Sequence, residues 1–135
     1  MVIGQKPVYM LEDDSDDRFI TKSTIEELNL PIEVIFFAKS DEFIEFLSTG
    51  NKSSLILIDY NCNPDNGVAV LKRIKQMEIH KGTPLIILSD SSVSKYKQEC
   101  YALGASYFIQ KPLRLNRTKE VIELFFTYWF TIAEA

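Results

Sequence analysis

The chain has 135 residues, 46% of them hydrophobic and 25% charged, with a formal net charge of −4. That size and composition suit one domain, residues 1–135, with a real core, and leave little room for a second. The acidic balance argues against a nucleic-acid surface, where a basic patch is expected. Residues 1–6 lack the apolar core of a signal peptide, and no run approaches the roughly 20 apolar residues of a membrane span. The two cysteines, Cys62 and Cys100, have neither metal-type spacing nor the pattern of a disulfide framework, which points to a reduced, cytoplasmic protein.

Val8, Tyr9, Met10 and Leu11 form a short apolar strand that runs straight into acid at Glu12, Asp13, Asp14, Asp16 and Asp17. A helical pattern follows over residues 16–28, with Phe19, Ile20, Ile25 and Leu28 apolar. Asp14 or Ser15 serves as its N-cap, and the first-turn acids suit the helix dipole. Asn29 and Pro31 end it. Val34, Ile35, Phe36, Phe37 and Ala38 read as a second strand. Ser40 is placed to cap a second helix over residues 41–48, with Phe43, Ile44 and Leu47 on one face.

Leu55, Ile56, Leu57 and Ile58 are four consecutive apolar residues, the sign of a central parallel strand buried on both faces. The run ends in the carboxylate of Asp59, and turn formers extend from Tyr60 to Gly67. Gly67 opens a third helix with Val68, Val70, Leu71 and Ile74 apolar. Residues 80–83 read as a loop in which His80 is exposed. Leu85, Ile86, Ile87 and Leu88 form a fourth strand ending at Ser89 and Asp90. A fourth helix over residues 92–103 stops at Gly104. Tyr107, Phe108 and Ile109 form a fifth strand ending at Gln110, Lys111 and Pro112.

A last helix spans residues 115–133. Val121, Ile122, Phe125, Trp129 and Ile132 can face the sheet, while Leu124, Phe126, Tyr128 and Phe130 fall on other faces. That is more apolar surface than one docking face needs. It reads either as a partner surface or as a helix tucked under neighbouring loops. Five alternations of strand and helix imply an α/β fold: a five-stranded parallel sheet with helices on both faces and right-handed crossovers.

Four of the five strands finish on a functional group: Glu12 and Asp13, Asp59, Ser89, and Lys111. A parallel sheet brings these to one edge, where ligands of open α/β sheets bind. Three carboxylates converging there repel one another, and a divalent cation relieves that repulsion. An all-oxygen set favours magnesium or another hard ion. Lys111 adds a fixed positive charge and Ser89 a hydroxyl donor. Together these parts form a site for a phosphoryl group, with Asp59 as nucleophile.

These residues carry a resemblance. Met10-Leu11-Glu12-Asp13-Asp14, Leu57-Ile58-Asp59, Ile87-Leu88-Ser89 and Lys111-Pro112, each at the end of a strand, resemble the motifs of the response-regulator receiver domain of two-component signalling. The intervals from Asp59 to Ser89 and to Lys111 are close to that family's, and the match covers nearly the whole chain. The resemblance implies a flavodoxin-like, doubly wound (βα)5 fold with strand order 2-1-3-4-5. It implies a stand-alone switch, not an enzyme beyond its own phosphorylation and dephosphorylation. Asp59 would take a phosphoryl group from a sensor histidine kinase or phosphotransfer protein. Asp13, Asp59 and the Asn61 carbonyl would ligate Mg2+, with Glu12 acting through a metal-bound water. Lys111 and Ser89 would bind the phosphoryl oxygens, and Phe108 matches the aromatic that follows the movement of Ser89. The Lys111–Pro112 bond is often cis in such domains. The signal would leave through contacts with a downstream protein, with no nucleic acid bound directly, or through a homodimer on the face of the fourth helix, fifth strand and fifth helix.

Three positions depart from the family pattern. Glu12 stands where Asp is commoner. Asn63 occupies the usual proline position, with Pro64 one later. Asp90 replaces a small residue after the switch hydroxyl. A degenerate receiver acting as a phosphorylation-independent scaffold is the alternative, and the intact Asp13, Asp59, Ser89 and Lys111 argue against it. An aspartyl phosphatase lacks its second acid in Asp59-Tyr60-Asn61. A nucleotide binder lacks a phosphate-cradling glycine loop after the first strand. A calcium loop at residues 13–24 fails at Arg18 and Thr24. Cys62 borders the site without an activating base and reads as incidental.

Asp90 is read as a guard that repels an anionic phosphodonor or as a cap of the fourth helix. As a guard, its replacement in Asp90→Ala accelerates phosphorylation by acetyl phosphate several-fold and leaves stability intact. An unchanged rate, with a loss of about 1 kcal/mol of stability, identifies the cap instead.

Overall fold

The computed structural model describes residues 7–29, 32–53, 55–89 and 94–110, together with positions 120, 123, 124 and 127. Five strands, β1 (Val8–Leu11), β2 (Val34–Phe37), β3 (Leu55–Asp59), β4 (Leu85–Ser89) and β5 (Tyr107–Gln110), alternate with α1 (Ser15–Glu27), α2 (Ser40–Ser48), α3 (Gly67–Lys75) and α4 (Ser94–Ala102). The sheet order is β2-β1-β3-β4-β5 and every pairing is parallel. This is the expected doubly wound architecture. The four described positions beyond 119 are helical. The rest of the expected last helix, and the Lys111–Pro112 bond, lie outside the described residues.

The alternation of side chains along each strand divides the core into two layers. Tyr9, Leu11, Ile56, Ile58, Leu85, Ile87 and Phe108 face α2, α3 and α4 and pack with Phe43, Leu47, Val70, Leu71, Ile74 and Cys100. Val8, Met10, Leu55, Leu57 and Ile86 face the other way and pack with Ile25 of α1. The central strand β3 is buried along its full length, as its unbroken apolar run requires.

Helix α1 is rotated from the face its apolar residues suggest. Thr21, Thr24 and Ile25 are its buried residues, while Phe19 is 70% exposed. The two threonines are accommodated because each hydroxyl donates back one turn, Thr21 to the Asp17 carbonyl at 3.0 Å and Thr24 to that of Ile20 at 2.8 Å. Asp14 caps this helix, its carboxylate accepting from the Asp16 and Asp17 amides.

Two further readings are corrected. His80 is buried: it closes a short 3-10 turn, Glu78–His80, and its Nε2 lies 2.9 Å from the Leu47 carbonyl. A carbonyl only accepts, so Nε2 carries the proton. Leu47 lies in the last turn of α2, whose carbonyls lack partners within the helix, and His80 supplies one. Ser40 does not cap α2 but is its first residue. The N-cap is Lys39, which makes no side-chain cap bond.

Among the described residues no helix is long and apolar enough to cross a membrane. Phe43 is fully buried and its ring packs beside Phe37 at 5.2 Å. Phe43→Ala is expected to cost about 3–5 kcal/mol, read from the midpoint shift in urea at an unchanged slope.

Candidate functional site

The carboxyl ends of β1 and β3 lie side by side. Leu11 pairs with Ile58, so the next residue on each strand, Glu12 and Asp59, share the sheet edge. Both are buried, and Asp13 beside them is exposed. One carboxylate oxygen from each of the three lies within 4.8 Å of the others.

Local bonds fix this arrangement. The Glu12 amide donates to the Phe37 carbonyl at the end of β2 at 2.9 Å. The Asp14 amide donates to Glu12 Oε2 at 3.3 Å. The Arg18 guanidinium, one turn into α1, donates to the Glu12 carbonyl at 2.8 Å. On the other bank, the Asn61 amide donates to Asp59 Oδ1 at 3.2 Å, and the Cys62 amide to the Asp59 carbonyl at 3.3 Å. Arg18 was invisible as a site residue in the sequence, because a main-chain acceptor has no residue signature.

Ser89 ends β4, is fully buried, and pairs with Gln110. It lies on the same carboxyl edge as Asp59, whose strand pairs with β4. Phe108 is buried on β5, its ring 6.4 Å from that of Tyr60. Its amide donates to the Tyr101 hydroxyl at 3.2 Å. Tyr60 also stacks obliquely on Tyr96 at 5.2 Å. Burial, then the charge of Glu99, pushes the Tyr60 hydroxyl up, so it remains neutral. Asn61 is exposed at the mouth. Lys111 and Asp90 lie outside the described residues.

Cys62 is buried beside the site. Burial, then the neighbouring Asp59, pushes its thiol up to about 12, and its Sγ donates to the Asp65 carbonyl at 3.1 Å. A thiol held protonated is a poor nucleophile.

The donor set fits a divalent cation. Carboxylate oxygens from three residues lie within 4.8 Å of one another, two of them on buried residues and one open to water. Oxygen-only donors suit a hard ion that keeps several waters. Glu12, Asp13 and Asp59 are the residues that could hold it.

The fold and this acid-lined edge define a doubly wound α/β domain with an acidic site at the carboxyl ends of its strands. The family model of the response regulator receiver domain matches residues 8–123, and the chain belongs to that family. It is 37% identical over 71 residues to the two-component response regulator ARR17 of Arabidopsis thaliana, a match covering 52% of this chain and 46% of that protein. The chain thus spans about half the length of this curated relative. The phosphorylated cyanobacterial phytochrome response regulator RcpA superposes with a TM-score of 0.87 at 22% identity, over 94% of this chain and 95% of that one. The Mn2+-bound form of response regulator Rcp1 superposes with a TM-score of 0.85 at 21% identity, over 93% and 94%.

Gly67 shapes the site from behind. A Cβ there would lie 2.7 Å from Tyr60 Cα and 3.2 Å from the Asp59 and Tyr60 carbonyl oxygens. These are backbone atoms and have little freedom to yield, and the Gly67 amide already donates to the Tyr60 carbonyl at 2.7 Å. Gly67→Ala is expected to push residues 60–62 outward and lower stability by about 1–3 kcal/mol, measured by urea denaturation.

Proposed function

We propose that this domain is a phosphoaccepting signalling switch in which Asp59 takes a phosphoryl group from a sensor histidine kinase or phosphotransfer protein. The observation that carries the reading is the buried Asp59 carboxylate, which ends the central strand within 4.8 Å of Glu12 and Asp13, in a chain whose residues 8–123 match the receiver family. An Asp59 carboxylate oxygen attacks the phosphorus and the bond to the donor nitrogen breaks. The electron pair leaves with that nitrogen, and an acyl phosphate remains on Asp59.

Asp13, Asp59 and the Asn61 carbonyl would hold Mg2+, and Glu12 would orient a water on it. Bound there, the ion supplies positive charge against the negative charge gathering on the transferring group. The capture of Mn2+ by Rcp1, on the same fold, supports a metal at this edge. Ser89 and Lys111 would bind the phosphoryl oxygens, and Phe108 would follow Ser89. Hydrolysis of the acyl phosphate at the same site returns the switch to its resting form. The signal passes to a downstream protein. Tyr101 and Tyr107, exposed on α4 and β5, support the face of the fourth helix and fifth strand as the docking surface, for a partner or for a second copy.

Incubation with acetyl phosphate and Mg2+ followed by intact mass measurement tests the assignment. A single phosphoryl adduct is expected, dependent on Mg2+ and absent from Asp59→Asn. An adduct of full yield in Asp59→Asn overturns the role of Asp59, and an unmodified wild-type protein favours the constant scaffold. Sedimentation of the phosphorylated sample reads self-association, and a monomer throughout excludes the homodimer.

A further inference from the structure

The loop from Tyr60 to Asn66 joins Asp59 to α3 and carries Asn61. Its ends are held by its own bonds, Asn61 and Cys62 to Asp59, and Gly67 to Tyr60. Its middle is held from outside, by Ser40. The Ser40 amide donates to the Asn63 carbonyl at 2.7 Å. The Ser40 hydroxyl accepts from the Asp65 amide at 2.8 Å. One residue thus grips the loop on both sides of Pro64, which has no amide proton of its own.

Ser40 is fully buried and is the first residue of α2, one position past the N-cap. Its hydroxyl is turned to a different element. The residue behind it is firm, because Phe43, Ile44 and Leu47 anchor α2 in the core. Three positions earlier the same connection accepts the Glu12 amide at the Phe37 carbonyl. The β2–α2 junction therefore holds both banks of the acidic site: the β1 bank through Phe37 and the β3 bank through Ser40.

We propose that Ser40 is a positioning residue for the metal site. Its hydroxyl and amide set the loop so that the Asn61 carbonyl faces the point on which Glu12, Asp13 and Asp59 converge. This rests on the receiver reading, in which that carbonyl is a ligand. Ser40 touches neither metal nor phosphoryl group; it acts through residues 63–65.

Mn2+ titration of the full chain, followed by the paramagnetic resonance of free Mn2+, tests it. Ser40→Ala is expected to weaken Mn2+ binding by about three- to tenfold, the worth of one lost hydrogen bond. At saturating Mg2+ its phosphorylation rate should stay within about twofold of wild type, as befits a group acting on affinity alone. Ser40→Thr, which keeps the hydroxyl, should restore binding. Ile25→Val, a core change in the opposite layer, should lower stability and leave binding unchanged. Equal Mn2+ affinity in Ser40→Ala and wild type overturns the role of Ser40 and leaves the receiver reading intact. An equal loss of affinity in Ile25→Val makes the effect one of stability and overturns it too. A wild-type protein that binds no Mn2+ removes the metal site itself. Should Ser40→Ala fail to fold, hydrogen exchange of the wild-type Asp65 amide decides: protection is expected, and exchange at the rate of an open peptide removes the clasp.

Discussion

The structure is organised around a repulsion. Glu12, Asp13 and Asp59 bring three carboxylates to one sheet edge, two of them buried. Two ionised carboxylates about 5 Å apart repel by roughly 3 kcal/mol at an effective dielectric near 20. Such a cluster does not assemble by attraction between its members. It is imposed by the pairing of β1 with β3, which puts Glu12 and Asp59 at the same level. Hydrogen bonds to the adjoining main chain then hold the ends in place. The Arg18 guanidinium on the Glu12 carbonyl and the Asn61 amide on Asp59 Oδ1 both direct positive ends of dipoles or charge towards the acids. A site that holds like charges together in this way is poised for a cation, which explains why it sits at a strand edge open to water and not within the core.

The sheet can bear this load because its interior is apolar and two-sided. Every residue of β3 is buried, and its side chains alternate between the α2-α3-α4 layer and the α1 layer. A slip of one residue in the pairing of β1 and β3 would exchange the two layers and carry Glu12 away from Asp59. The packing that stabilises the fold and the register that builds the site are therefore the same constraint.

The legible parts of the sequence were those governed by that constraint. Wholly apolar runs such as Leu55 to Ile58 announce buried parallel strands, and a parallel sheet gathers their carboxyl ends without further information. Glu12, Asp13 and Asp59 could thus be brought together on paper. The strand order came from the family resemblance. What the sequence hid were side chains whose partners are main-chain atoms. Ser40 has the residue type of a helix cap, and only the fold reveals that its hydroxyl serves residue 65. His80 looked like a polar residue in a loop, yet it meets a carbonyl 33 positions away. Phe19 counted as a core residue by type, while Thr21 and Thr24 took the buried face because their hydroxyls find acceptors within the helix.

Those hidden contacts have a common logic in α2. The helix is only nine residues long, too short to be stable by itself in water. Its apolar face supplies the packing, but packing leaves the polar groups of its two ends to be satisfied from elsewhere. At the carboxyl end His80 Nε2 meets the Leu47 carbonyl, in a turn that precedes β4. At the amino end Ser40 meets the Asn63 carbonyl and the Asp65 amide, in the loop that follows β3. These three bonds join α2 to segments that flank α3 in the chain, and all would be lost together if α2 left the sheet. A short helix that must be held at each end thereby becomes a strut, and the loop it steadies is the one that leads out of Asp59. The polar groups that packing cannot satisfy are what tie the apolar layer to the chemistry at the sheet edge.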